Sequence, residues 1–298
     1  MAASFRIVTL GDSVPWGQGL LEAEKYDAMV RDTLASNFPG GVSLERLAHS
    51  GAVIGASPTQ GNFADGEVPV ARPTIIEQCD GFANSPETVD LVLMNGGIND
   101  VGVATILNPL ALFPSLASRV HSACHDAMLT LLRKVSAKFT KPSCKILVTD
   151  YYLILSDLSD PLGIAGYLGM HGIAVPSFIA EAEFQDIVVD RCEEFFADST
   201  AQLQQAVNGA NDPRISLVPS GFTAANAVFV AGTSLLFGLD ALLRPLDPVA
   251  DRRHAQCEIT FNQPLQVPQR EQCSRASAGH PNPAGAVQYK NQILAALP

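Results

Sequence analysis

Ser13 stands in the tripeptide Gly11-Asp12-Ser13, directly after the apolar run Phe5-Arg6-Ile7-Val8-Thr9-Leu10. A run of β-branched and apolar residues that stops at a glycine reads as a buried strand ending in a tight turn. In an open parallel sheet, ligands bind at the carboxyl ends of the strands, so a hydroxyl held there suits a nucleophile. The same tripeptide also suits a plainer role, because serines in turns commonly cap helices or bond the local backbone. A serine hydroxyl becomes an effective nucleophile when a base removes its proton during attack. Histidine fits that task, since its ordinary pKa of about 6.5 is close to neutrality. One candidate base is His280, in His280-Pro281-Asn282-Pro283-Ala284-Gly285. His121 and His125 offer different chemistry, since two histidines four apart on a helix can bind zinc. No Glu follows His121, and both flank an apolar stripe, so they read as solvent-facing histidines and no metal is expected.

The elements that would position these residues alternate strands with helices, the pattern of a doubly wound parallel sheet. Strands are predicted at 5–10, 42–47, 89–94, 145–148 and 214–218. Leu47-Ala48-His49-Ser50-Gly51-Ala52 follows the second, and Asn95-Gly96-Gly97-Ile98-Asn99-Asp100 follows the third. Tyr26, Met29, Val30, Thr33, Leu34 and Phe38 fall on one helical stripe. Leu116, Val120, Cys124, Ala127, Leu131 and Val135 form a second stripe. Phe184, Ile187, Val188, Cys192, Phe195, Leu203 and Val207 form a third, with Pro213 marking its exit. A last helix is predicted from Pro283, a favoured first-turn residue, to about Leu297. The expectation is a single α/β domain over 1–298, a three-layer α/β/α sandwich with a five-stranded, mainly parallel sheet. Two excursions, 151–176 and 223–277, exceed what the sheet needs and leave from strand carboxyl ends. They are expected to overhang the site as lids or acyl-binding walls, with added packing as the alternative.

Taken together, the Gly11, Leu47, Asn95 and His280 segments resemble the four blocks of the GDSL, or SGNH, hydrolase family. The resemblance carries over as Ser13, Gly51, Asn99 and His280, in the family's order. It implies a flavodoxin-like fold and hydrolysis of a carboxylic ester through an acyl-serine intermediate, without metal or organic cofactor. Ser13 would attack the carbonyl carbon, and His280 would take and return the proton. The Ser13 and Gly51 N–H groups and the Asn99 amide would form the oxyanion hole. Family members usually carry Asp three residues before the histidine, where this chain has Ser277. A backbone carbonyl near Ser277 or Ala278, the Ser277 hydroxyl, or an acid from elsewhere would then orient the ring, and the carbonyl is preferred. Asp251-Arg252-Arg253-His254 matches the Asp-x-x-His spacing, but nothing like Pro-Asn-x-x-Gly follows it, so His280 is preferred over His254. Asp12 and Asp100 are expected to bond the local backbone, while Trp16 could wall the pocket or fill the core. The substrate implied is a small-molecule or lipid ester, and the apolar excursions favour a lipophilic acyl group. Acyl transfer from the same acyl-enzyme and a catalytically idle binding module are the alternatives.

Composition narrows the remaining classes. Of 298 residues, 47% are hydrophobic and 16% charged, which fits a compact globular protein. A net charge of −11, with 19 Lys and Arg and no basic run, argues against nucleic-acid binding. The uncharged stretches 161–180 and 222–239 are interrupted by Gly, Pro and polar residues, so no membrane span is expected. No Gly-x-Ser-x-Gly elbow, GxGxxG fingerprint or phosphate-binding loop occurs. No signal peptide precedes the first strand, which favours a cytoplasmic location. There the six cysteines would stay reduced. In an oxidising compartment Cys257 and Cys273 would be the first candidates for a pair.

Overall fold

Five short strands, apolar except for the alternating Val42–Arg46, hydrogen-bond side by side to form the centre of the molecule. The computed structural model describes residues 3–55, 64–111 and 113–297. Its strands are β1 (Phe5–Leu10), β2 (Val42–Arg46), β3 (Leu91–Met94), β4 (Lys145–Thr149) and β5 (Ile215–Val218). Their order is β2-β1-β3-β4-β5, and every neighbouring pair is parallel. The sheet is thus wholly parallel among the described residues, where a mainly parallel one was expected. All four positions of β3 and the last four of β1 are buried, as strands covered on both faces should be. β1 has the predicted bounds, and the other four strands differ from theirs at one end by a residue or two, the usual uncertainty of element ends.

The flanking helices fall into two packed groups. Tyr26–Leu34 packs with the last helix, Pro283–Ala295. The continuous 116–138 helix packs with Glu181–Ala210 and with Ile75–Gly81. Within 116–138 the segment His121–Ala127 is π-helical, a widened turn that the 3.6-residue stripe did not signal. On the Tyr26–Leu34 helix Thr33 is exposed, and Phe38 lies beyond the helix end, tilted against Phe5 with ring centroids 4.7 Å apart. Tyr26, Met29, Val30 and Leu34 of the predicted stripe face the core, while Thr33 and Phe38 depart from it.

β1 has β2 on one side and β3 on the other, so the chain direction of winding reverses between β1 and β3. Such a switch point opens a crevice at the strands' carboxyl ends. The segments carrying Ser13 and Asn99 leave β1 and β3 at that end.

Both excursions are more ordered than their composition suggested. The first contains a helix, Pro161–Met170, whose cap Asp160 accepts from Gly163 N–H at 2.8 Å. Gly163 and Gly166 lack side chains where Phe229 and Leu243 press against the helix. The second excursion contains helices Ala250–Thr260 and Val267–Ser274, joined by a Cys257–Cys273 disulfide with Cα atoms 5.9 Å apart. That closed pair departs from the expectation of six reduced thiols, because the two helices bring these cysteines within bridging reach. Cys79, Cys124, Cys144 and Cys192 are free and buried. No helix among the described residues is long and apolar enough to cross a membrane.

Candidate active site

Ser13 opens the short helix Ser13–Trp16 directly after the β1 turn. Gly11 permits that turn with φ +135°, and a Cβ there would meet the Asn95 carbonyl at 2.7 Å. The Gln78 side chain grips Gly11 from both sides, accepting from its N–H at 2.8 Å and donating to its carbonyl at 2.9 Å. Asp12 caps the helix by accepting from Val14 N–H at 2.9 Å, and its other oxygen accepts from the Tyr151 hydroxyl at 2.9 Å. Burial raises the Asp12 pKa to about 6.

His280 lies across the crevice, with Nε2 2.7 Å from Ser13 Oγ. Its loop is fixed by backbone pairing with the second excursion. Phe237 N–H donates to the His280 carbonyl at 2.7 Å, and Gly279 N–H donates to the Phe237 carbonyl at 2.8 Å. The Tyr152 hydroxyl donates to the Gly279 carbonyl at 2.9 Å. Asn282 then caps the last helix, accepting from Ala284 and Gly285 N–H. Burial lowers the His280 pKa to about 4, and the nearby Arg253 cation adds to the effect. The carbonyls of Ala278, Ser277 and Ala276 act oppositely, favouring the charged ring. At neutral pH the imidazole is therefore uncharged and able to accept the Ser13 proton. Nδ1 forms no hydrogen bond of good geometry among the described residues.

Gly51 and Asn99 line the same cavity, of about 1180 Å³, as Ser13 and His280. Gly51 has φ +78°, and a Cβ would strike the Val70 nitrogen at 2.6 Å and the Pro69 carbonyl carbon at 2.7 Å. Glycine is required by conformation and by space at once. Asn99, in the Ile98–Val101 turn of helix, donates one amide N–H to the Ala52 carbonyl at 3.0 Å. A primary amide has a second N–H. Next to it, both Asp100 oxygens accept from Ile54 N–H at 3.1 and 3.2 Å. Asp100 bonds its own backbone, as expected, and also ties the Asn99 segment to the Gly51 segment. Burial raises its pKa to about 6.

Position 277 is answered differently from any simple substitution. Ser277 is fully buried, and its hydroxyl donates to Asp247 Oδ2 at 2.5 Å. Arg253, also fully buried, donates to Ser277 Oγ at 3.1 Å. The same guanidinium grips both Asp247 oxygens at 3.1 and 2.6 Å and reaches Glu67 at 3.5 Å. The Ser277 hydroxyl is thus engaged away from the imidazole, while its carbonyl accepts from His280 N–H at 2.9 Å. Asp247 and Arg253 were not foreseen, because a pair brought together from a long irregular excursion leaves no periodic signal.

The other candidates lie elsewhere. His254 is on the outer face of its helix, beside Ser274 Oγ at 2.9 Å and Glu258 at 3.6 Å. Trp16 donates to Glu67 at 3.0 Å under the Lys25 ammonium and does not line the described cavity wall. Donor atoms of His121, His125 and Asp126 gather within 4.8 Å. The two imidazoles stack at 4.9 Å with only 13° between their planes.

No protein-family model matches the chain, and no curated protein sequence matches it. Among solved structures, an extracellular lipase from Streptomyces rimosus is similar in fold over 98% of this chain and 100% of its own, with 14% identity and a TM-score of 0.55. A lipase from a goat rumen metagenome aligns over 72% of this chain and 80% of its own, with 15% identity and a TM-score of 0.43. A carbohydrate acetylesterase from Sinorhizobium meliloti aligns over 73% of this chain and 84% of its own, with 14% identity and a TM-score of 0.40. The first likeness, along the full length of both chains, shows a shared α/β fold.

Proposed function

We propose that the protein hydrolyses carboxylic esters through an acyl-Ser13 intermediate, as an SGNH-type serine esterase or lipase. The observation that carries this reading is the 2.7 Å approach of His280 Nε2 to Ser13 Oγ at a sheet switch point. A neutral imidazole takes the Ser13 proton as the hydroxyl attacks the carbonyl carbon. The Asn99 amide, with the Ser13 and Gly51 N–H groups, receives the negative oxygen of the tetrahedral intermediate. His280 then returns the proton to the leaving alcohol, and water repeats the cycle on the acyl-enzyme. In place of the usual Asp, the backbone groups of Ala278, Ser277 and Ala276 favour the charged ring that forms as Ser13 gives up its proton. An intact serine–histidine pair speaks for an enzyme over an idle binding module.

The cavity walls support an ester with a lipophilic acyl part. Tyr152, Ile154, Tyr167 and Met170 of the first excursion present an apolar wall. From the second excursion Gln256, Gln266, Gln269 and Gln272 present uncharged amides. We read both excursions as walls of one binding cleft in a single domain. The closed Cys257–Cys273 pair favours an oxidising compartment over the cytoplasm.

A chain-length series of aryl esters, with a fluorophosphonate probe, tests the reading. Wild type should turn over and become labelled at Ser13, and Ser13→Ala should do neither. Well-folded wild type that resists the probe and leaves every ester intact would refute it.

A further inference from the structure

The segment that carries His280 is anchored on a buried ionic cluster that the reaction itself does not use. Asp247, Arg253 and Ser277 are each wholly shielded from solvent in their side chains. A buried guanidinium is tolerated only when paired and hydrogen-bonded. Arg253 meets that demand with both oxygens of Asp247, the Ser277 hydroxyl, the Ser274 carbonyl at 3.2 Å and Glu67. Ser277 and Ser274 bracket the turn leading to His280, so the cluster grips the backbone from which the imidazole hangs.

Resting on the esterase reading above, we infer that Asp247 is a positioning residue for His280. Through the Ser277 hydroxyl it fixes the 276–280 segment, and through Arg253 it offsets the cation that the Ala250–Thr260 helix brings beside the imidazole. The acid is displaced in sequence, thirty residues before Ser277, and acts without touching the ring. The geometry fits the electrostatics. Arg253 disfavours a charged His280, and a carboxylate clamped on that guanidinium reduces the effect. Other groups on the elements around the ring are Tyr152, Tyr167 and His171 of the first excursion, Asp12 beside Ser13, and Glu67 behind Arg253. Burial keeps both tyrosines protonated and His171 neutral at pH 7.

Four variants of the full chain test this on an aryl ester. Ser277→Ala keeps the Asp247–Arg253 pair, so it should fold, retain the wild-type pH profile, and lose about tenfold in kcat with KM within about twofold. Ser277→Thr, which restores the hydroxyl, should recover most of that loss. Asp247→Asn leaves Arg253 uncompensated and should also move the acid limb of kcat/KM to lower pH. Adding Arg253→Gln to Asp247→Asn should bring the limb back. A merely structural cluster would change melting temperature and leave the limb in place. Wild-type kcat in Ser277→Ala, or an unmoved limb in folded Asp247→Asn, would overturn the inference. If Asp247→Asn does not fold, the Ser277 pair decides. Inert wild type would overturn the esterase reading and this inference together, whereas active wild type with indifferent variants overturns the inference alone.

Discussion

Asn99 and His280 put chemistry and geometry into conflict at the level of single side chains. One Asn99 N–H is held by the Ala52 carbonyl, which aims the amide but leaves only the other for an oxyanion. Asn99→Ala removes both, and its effects should separate by size. Losing the tie to Ala52 costs about 1 kcal/mol of stability, a typical net hydrogen bond. Losing an oxyanion donor costs ~10²–10³ in turnover. The expected variant therefore has a near-normal melting curve and kcat reduced by two to three decades (~10²–10³). Full turnover in a folded variant would remove Asn99 from the mechanism.

His280 makes its prediction through pH. Its pKa is depressed to about 4, so the neutral, proton-accepting ring persists well below the ordinary histidine range. kcat/KM should hold from neutrality to about pH 5 and fall through about pH 4. A limb near pH 6.5 would show a ring exposed to water. An unfolded histidine takes its proton near pH 6.5 and the folded one near 4, so between these values the unfolded chain binds more protons and stability falls as pH is lowered. Asp12, Asp100 and Asp150, each raised to about 6, work in the opposite sense from about pH 6 down to 4. Melting temperature and activity should therefore follow different pH curves.

Among the elements, the disulfide hairpin is the part whose contribution can be isolated. Cys257 and Cys273 are 16 residues apart and close a loop around a small separate cluster with Val68. Cross-linking a loop of that size removes about 3 kcal/mol of unfolded-state entropy in the chain-entropy model. Cys257→Ser should therefore lower the melting temperature, and thiol titration of native protein unfolded without reductant should find four thiols, rising to six after reduction. Six before reduction would show the pair open.

This element scale is also where legibility from sequence divides. The strands were readable because each is an apolar or alternating run ended by a turn signal, and that placed Ser13, Gly51 and Asn99 just beyond strand ends. The Pro161–Met170 helix was hidden by Gly163, Gly166 and Gly169, poor helix formers whose virtue, at the first two, is the room they leave for Phe229 and Leu243. The Gln78 clamp on Gly11 and the Asp100 tie to Ile54 join residues 67 and 46 apart. No local pattern encodes such pairs, since tertiary folding alone brings them into contact.

For the molecule as a whole, the question is which part of a substrate the cleft sorts. The net charge of −11 gives no attraction to anionic surfaces, so selection falls to the cavity walls. Met170 stands at the end of the Pro161–Met170 helix and lines the cavity, partly buried. A bulkier residue there should shorten the space for an acyl chain while leaving the carbonyl end undisturbed. Each buried methylene contributes about 0.8 kcal/mol, so excluding two or three costs about 2 kcal/mol, on the order of thirtyfold in kcat/KM. Met170→Trp should thus lose about that factor on octanoyl or longer aryl esters and stay within about threefold of wild type on the acetyl ester. The ratio of the two substrates cancels any general loss of active enzyme. An unchanged ratio would place the acyl chain against the glutamine wall, and the assignment of the two excursions would have to be exchanged.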